Sequence, residues 1–410
     1  MKVGIVSLWW PPHFGGGEIY AYRLALALRS SAIDVEVITT SPCRTDRDNG
    51  DIEVLRTGAV HDPRSMKAFR EYLQGPDHAA SCDRVALWTD AHRFTHILCN
   101  APLARPGFSP TAPRLFSRLR ETGATVGAIH LDLGPRTTSS LLSTFSDSGD
   151  WDRTARIVAE EQRNKAATRG AQAFYDAFGS PLCRMPDFVL SCSNWSCRFI
   201  DPLEQVPKFV LRPFLPPATA AFGGPVSAFD QVTVSMINPL VQKGALNMAN
   251  VVLFNRRNWT FRILQGAWGQ SLEGFTPMIG DALRERNHRV TMLPHARDMD
   301  AFYRATRVFM FPSRIEGYGM APVEAMQAGT PVVATDYPAI IEAVGEGARL
   351  VPYFADGREW IEAIEEVLAN AELWRGKAAA RARVLEVRQS EELAAFIDFL
   401  RALPATAASV

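Results

Sequence analysis

The stretch Phe311-Pro312-Ser313-Arg314-Ile315-Glu316-Gly317-Tyr318-Gly319-Met320-Ala321-Pro322-Val323-Glu324-Ala325-Met326 decides the fold, because a strand, a loop and a helix can be read along it. The apolar run Val308 to Phe311 suits a buried strand. Gly317 and Gly319 free the backbone of the next loop. Pro322 stands where a first helical residue belongs, so a helix is expected to start near Ala321. Its unpaired N–H groups and positive dipole end can hold an anion, and the glycines let a ligand come close to the backbone. Glu316 stands before this helix, with Glu324 expected in its first turn. Either one alone reads as a solvated or dipole-favoured carboxylate. Together they form an E-x7-E spacing.

Outward from this unit the same alternation runs in both directions. Val3–Ser7, Val35–Thr39, Ile52–Arg56, His96–Asn100, Thr125–His130 and Phe188–Cys192 read as strands, with a helix from Glu18 to Ser30. A second series follows at Val232–Ile237, Phe261–Gln265, Val290–Leu293, Val308–Phe311, Pro331–Ala334 and Leu350–Pro352. Such alternation predicts parallel sheets covered by helices on both faces. Prolines, alanines and glycines cluster from Pro202 to Pro225, which reads as a linker. After Asp356 helix formers dominate, over Arg358 to Leu368, Ala371 to Leu385 and Glu391 to Leu403. Between Gly134 and Gly179, Thr137 to Ser140 is loop-like and Trp151 to Phe178 is a candidate helix. An insertion of this length carries either specificity or an ordinary surface helix.

The chain has 410 residues, more than one core usually serves, so two domains of roughly 200 residues each are expected. We place them at 1–205 and 206–385, with 386–410 as a last helix and frayed tail. Basic and acidic residues balance at 44 each, which argues against nucleic-acid binding or general adhesion to an anionic membrane. Peripheral membrane contact stays open. The six cysteines are scattered without metal-ligand spacing, and no apolar run reaches membrane-spanning length. A cytoplasmic enzyme without a metal is the expectation.

Other motifs sit at strand ends. Gly15, Gly16 and Gly17 follow the first strand, and His130 ends the fifth, followed by Asp132. Lys243-Gly244 follows Val232–Ile237, where a lysine can set a point charge on a phosphate. These residues, with the E-x7-E segment, resemble the retaining glycosyltransferases of family 4, which have the GT-B fold. The resemblance covers nearly the whole chain. It implies two Rossmann-like domains facing a cleft, with a C-terminal helix crossing back to the N-terminal domain.

It also implies roles. Glu316 would meet the donor sugar and Glu324 the ribose hydroxyls. Gly317, Tyr318, Gly319, Met320 and Ala321 would line the donor diphosphate, with Lys243 and Gly244 on the neighbouring loop and Gly15 to Gly17 in the first domain. His130, Lys243 and Glu316 would carry catalysis. Arg297 lies where the family places the nucleotide base. Trp10, Phe14 and Asp132 are candidates for the acceptor side. The family has an arginine five residues before the lysine, and here that position is Asn238. A second cation must then come from elsewhere, with Arg314 and Arg262 as candidates.

The implied activity is retaining transfer of a sugar from a UDP- or GDP-type donor to an acceptor hydroxyl or amine, without a metal or other cofactor. A small natural product is the favoured acceptor, and saccharide or cell-envelope glycan assembly on a carrier the alternative. A nucleotide-sugar epimerase or hydrolase of the same fold, and a non-catalytic nucleotide-sugar binder, are the rivals.

Overall fold

Strands covered on both faces favour apolar side chains, as in the run Val-Phe-Met-Phe, and Val-Thr-Val-Ser-Met-Ile admits only the small polar Thr233 and Ser235 among its apolar residues. A computed structural model describes residues 1–7, 10, 15–39, 53–56, 71, 75–100, 112–131, 133, 135–169, 186–200, 206–216, 232–266, 271–280, 290–294, 296 and 298–403. The chain divides into two compact units, Met1–Phe214 with Gln389–Val410, and Leu215–Arg388.

In the first unit, β1 (Lys2–Ser7), β2 (Asp34–Thr39), β3 (Glu53–Arg56), β4 (His96–Asn100), β5 (Thr125–His130), β6 (Phe188–Ser191) and β7 (Lys208–Val210) form one sheet in the order β3-β2-β1-β4-β5-β6-β7. In the second, β8 (Val232–Ile237), β9 (Trp259–Leu264), β10 (Val290–Leu293), β11 (Val308–Phe311), β12 (Val332–Thr335) and β13 (Ala348–Val351) lie in the order β10-β9-β8-β11-β12-β13. Every pairing is parallel, as in Ile5 with Val37 and Val308 with Val234. The order reverses beside β1 and beside β8. Such reversals open a crevice at the carboxyl ends of the strands, where ligands bind in this kind of sheet.

The core of the second unit sets Met236, Phe261, Val308 and Met310 of the sheet against Met248 and Val252 of the Ala245–Phe254 helix, and against Trp360 and Ile364 of the Gly357–Ala369 helix. Asp356 caps the latter helix, accepting from the backbone N–H groups of Arg358 and Glu359 at 2.7 and 3.1 Å.

Three expectations are corrected. The stretch from Pro202 to Pro225 is not all linker, because Lys208–Val210 is an edge strand paired with β6. Beyond it, the Leu211 N–H donates to the Ser191 carbonyl, and the Leu211 carbonyl accepts from the Tyr20 hydroxyl, both at 2.9 Å. The two compact units divide between Phe214 and Leu215. A three-residue strand among prolines shows no periodicity to read.

Thr137 to Ser140 lies inside the Pro135–Ser148 helix, where Thr137 accepts a hydrogen bond from the Gln162 amide of the Trp151–Arg169 helix at 3.1 Å. Composition suggested a loop, and packing of one helix on the next overrode it. The remainder of the candidate helix, to Phe178, lies outside the described residues.

The last two expected helices are one, Ala371–Ala402, of 32 residues. No proline or glycine stands between Leu385 and Glu391 to interrupt it. The helix starts in the second unit and belongs to the first from Gln389 onward. There Phe396 and Phe399 flank Phe209 of β7, with ring centroids 5.3 and 5.1 Å away. His96 Nε2 donates to the Leu400 carbonyl at 2.9 Å, and Arg212 pairs with Glu392. Among the described residues no helix is long and apolar enough to cross a membrane.

Candidate functional site

In the second unit the loops after β8 and β11 are stitched together. Gly244 has φ +85°, and a Cβ there would stand 2.0 Å from the Pro312 carbonyl oxygen, so only glycine allows this approach. One step along, the Arg314 N–H donates to the Gln242 carbonyl at 3.0 Å. These contacts set the short turn Val241–Lys243 beside the E-x7-E loop.

Lys243 Nζ donates to Glu316 Oε1 at 2.7 Å and to the Ile315 carbonyl at 3.1 Å. Ser313, fully buried, donates its hydroxyl to the same Glu316 Oε1 at 2.7 Å. The lysine and glutamate side chains keep 28% and 15% of their surface exposed, so the pair is sheltered and still open to a ligand. An ammonium has three donors. With two engaged, the third is available to an incoming anion.

Gly319, at φ +102° and ψ +72°, turns the chain into the Met320–Gln327 helix. The N–H groups of Met320 and Ala321 at its start have no acceptor within the helix. Pro322 is the third helical residue and not the first, which costs nothing because that N–H would have no intrahelical acceptor either. Glu324 consequently lies in the second turn and not the first. Its Oε2 accepts from the Tyr303 hydroxyl at 3.3 Å. Lys243, Gly244, Glu316, Gly317, Tyr318, Gly319, Met320, Ala321 and Glu324 thus share two joined loops and the helix that follows.

Asn238 directly follows β8, in the left-handed region at φ +57°. Its Oδ1 is sealed from solvent without a hydrogen-bond partner, so close to Gly266 that a Cβ there would lie 2.3 Å away. The amide brings no charge. Of the two candidate cations, Arg262 is held in mid-strand, 5.2 Å from the Phe302 ring, and burial lowers its pKa. Arg314 lies on the site loop itself, with its guanidinium over the Tyr353 and Phe354 rings at 5.2 and 6.0 Å. Arg297 lies outside the described residues.

In the first unit, Gly15 caps the Gly16–Ser30 helix, so Gly16 and Gly17 are its first helical residues instead of a free loop. Asn100, at the end of β4, donates to the Gly17 carbonyl at 3.2 Å and to Ser7 at 3.3 Å. The Glu18 carboxylate accepts the Gly15 N–H at 2.8 Å. Burial pushes the Glu18 pKa up to about 7. His130, the last residue of β5, is 6% exposed. Trp10 is fully buried and meets Tyr22 edge-on at 5.7 Å, so it is a core side chain and not part of an acceptor surface. Sequence shows a tryptophan but not the direction it takes after a central strand. Phe14 and Asp132 lie outside the described residues.

Sequence reasoning passed over Ser313, Tyr303 and Glu18. Ser313 stands within the quoted segment, and its place three residues before a loop glutamate was a usable signal. Tyr303 carries no local sign of its contact with Glu324.

Two parallel sheets with Rossmann-like strand order, followed by helices at their strand ends, define a two-domain Rossmann-like α/β protein. Residues 248–370 match the family described as glycosyl transferases group 1. Over 380 residues the chain is 33% identical to D-inositol 3-phosphate glycosyltransferase of Gordonia bronchialis, covering 87% of this chain and 77% of that one. The chain belongs to the group 1 glycosyltransferases. It is also 27% identical over 224 residues to the lipopolysaccharide core biosynthesis mannosyltransferase LpcC of Rhizobium leguminosarum bv. viciae, covering 50% of this chain and 61% of the relative. For the first three curated relatives the match spans 17%, 61% and 53% of their length. Anabaena Alr3699/HepE, solved with UDP and glucose, shares the fold at a TM-score of 0.66 and 15% identity, over 98% of this chain and 100% of that one. That fold is GT-B.

Proposed function

We propose that the chain transfers a sugar from a nucleoside diphosphate sugar to an acceptor hydroxyl or amine, with retention at the anomeric carbon. The observation that carries this is the cluster of Lys243, Glu316 and the Met320–Gln327 helix start, which sets one cation, one carboxylate and free amides side by side. Lys243 and the amides of Met320 and Ala321 stabilise the charge that develops on the departing diphosphate. Glu316 holds sugar hydroxyls and Glu324 the ribose. His130 contacts the sugar or the acceptor near the reacting carbon.

Glu316 Oε1 already accepts from Lys243 and Ser313. A carboxylate so engaged is a weak nucleophile and a good hydroxyl acceptor, which supports reaction on one face of the sugar over double displacement. In that scheme the departing phosphate oxygen takes the acceptor proton. The charge comes from Lys243 and the amides, so chelators leave the rate unchanged. The donor is of UDP or GDP type. A small polyhydroxylated acceptor is favoured, in keeping with the name of the Gordonia relative; the mannosyltransferase names support a saccharide acceptor instead.

Slow hydrolysis of UDP-glucose, UDP-N-acetylglucosamine and GDP-mannose identifies the donor without an acceptor. Product analysis with myo-inositol phosphate and with oligosaccharides then separates the acceptor classes. Glu316→Ala removes most turnover, and near-native activity in that variant would falsify the site assignment.

A further inference from the structure

We infer that Ser313 is a positioning residue for the reaction: its buried hydroxyl pins Glu316 so that Oε1 serves Lys243 and only Oε2 meets the donor sugar. The inference rests on the proposed reading of Glu316 as the sugar contact. Ser313 is fully buried, two residues past the end of β11, and its hydroxyl reaches Glu316 Oε1 at 2.7 Å and the Ile315 carbonyl at 3.3 Å. Lys243 reaches the same two acceptors, at 2.7 and 3.1 Å.

Two donors on one carboxylate oxygen fix both its position and the plane of the group, because hydrogen bonds to a carboxylate prefer the directions of its lone pairs. The ammonium alone cannot do this. It sits on a flexible four-carbon stem and is a point charge without directional preference. It is also the group that must turn toward phosphate when donor arrives. Ser313 is the donor that stays. It keeps Glu316 in place while the lysine shifts part of its hydrogen bonding to the ligand, so the sugar meets a carboxylate already oriented.

The chemistry separates the two halves of the donor. Binding of the nucleoside diphosphate uses Lys243, the helix amides and Glu324, and none of these needs the orientation of Glu316. Binding and turnover of the sugar do. Ser313→Ala keeps volume and burial nearly unchanged and removes only the hydroxyl.

The test compares wild type, Ser313→Ala, Glu316→Gln and the double variant, using whichever of UDP-glucose, UDP-N-acetylglucosamine or GDP-mannose the wild type hydrolyses. The kcat for hydrolysis in Ser313→Ala is expected to fall about 10- to 100-fold, the range for losing one hydrogen bond to a charged group. Calorimetry with the matching bare UDP or GDP should show affinity within about twofold of wild type, since no sugar is present. The double variant should be no slower than Glu316→Gln alone, because the serine acts only through the glutamate. An unchanged kcat, an equal fall in bare-nucleotide affinity, or a full additive loss in the double variant overturns the inference. Native turnover in Glu316→Gln, or hydrolysis of none of the donors by wild type, sinks the functional reading beneath it as well, a result distinct from failure of Ser313→Ala alone.

Discussion

Lys243 Nζ and Glu316 Oε1 lie 2.7 Å apart although 73 residues separate them in the chain. The pair joins the loop after β8 to the loop after β11, the two strands flanking the point where the order of the second sheet reverses. The lysine has a carboxylate and a carbonyl as partners. In the proposed reading, donor phosphate draws an ammonium that these two partners satisfy only in part.

From this relationship Lys243→Met should lower kcat/KM by about 100-fold or more, the scale of losing a principal donor to developing charge. The uncompensated Glu316 carboxylate should also cost about 1–2 kcal/mol of stability, less than for a buried pair because both side chains are partly exposed. Donor hydrolysis and urea unfolding on the same preparation check both parts. Full retention of kcat/KM would remove Lys243 from the site.

Gly244→Ala is expected to cut bare-nucleotide affinity at least as strongly as it lowers stability. The new Cβ would strike the Pro312 carbonyl oxygen in a backbone conformation that L side chains avoid. Relief requires the two loops to part, carrying Lys243 away from Glu316. Calorimetry with UDP and GDP, next to a thermal melt, measures this. Unaltered affinity would mean that the loop contact does not set the lysine.

The buried carboxyl of Glu18 gives a pH dependence of definite sign. Its pKa is raised from about 4.5 to about 7 in the folded chain. Between these values the folded state holds a proton that the unfolded state has lost, so stability falls as pH rises through this window and stays at its lower level above it. Glu18→Gln still offers a carbonyl to the Gly15 N–H and cannot ionise. It should be more stable than wild type at pH 8 and similar to it near pH 4.5. Urea unfolding at pH 5, 6, 7 and 8 reads the difference, and an unchanged slope in the variant would refute it.

Phe396→Ala should destabilise the protein by about 3–5 kcal/mol, the usual cost of emptying a fully buried aromatic site. The loss falls where the last helix meets β7. Acid acts at the same place. Burial lowers the His96 pKa, so the folded chain keeps this ring neutral while the unfolded chain protonates near 6.5, and the contribution of His96 fades as pH falls below that value. Thermal melts of wild type and His96→Gln between pH 5 and 8 should converge toward the acid end.

Much of this protein is legible in its residues. His96–Asn100, Thr125–His130, Val232–Ile237, Val290–Leu293 and Val308–Phe311 are strands with the bounds that their apolar runs predict. Strands buried on both faces are mostly apolar, and glycine takes positive φ most readily, as at Gly244 and Gly319. These constraints are local, so sequence determines them: two parallel α/β domains, a helix N-terminus at a strand end, and the carboxylates at E-x7-E spacing.

Tertiary structure decided what depends on contacts distant in the chain. Lys208–Val210 is a strand because β6 lies beside it, and Trp10 is core because it packs against Tyr22 of the first helix. Glu18 has a raised pKa because the first unit closes over it. The role proposed for Ser313 rests on its distance to Glu316 and on the lysine that the loop after β8 delivers to the same oxygen. A side chain's type is written in the sequence, but its hydrogen-bond partners and its exposure to water are set only when distant segments pack together.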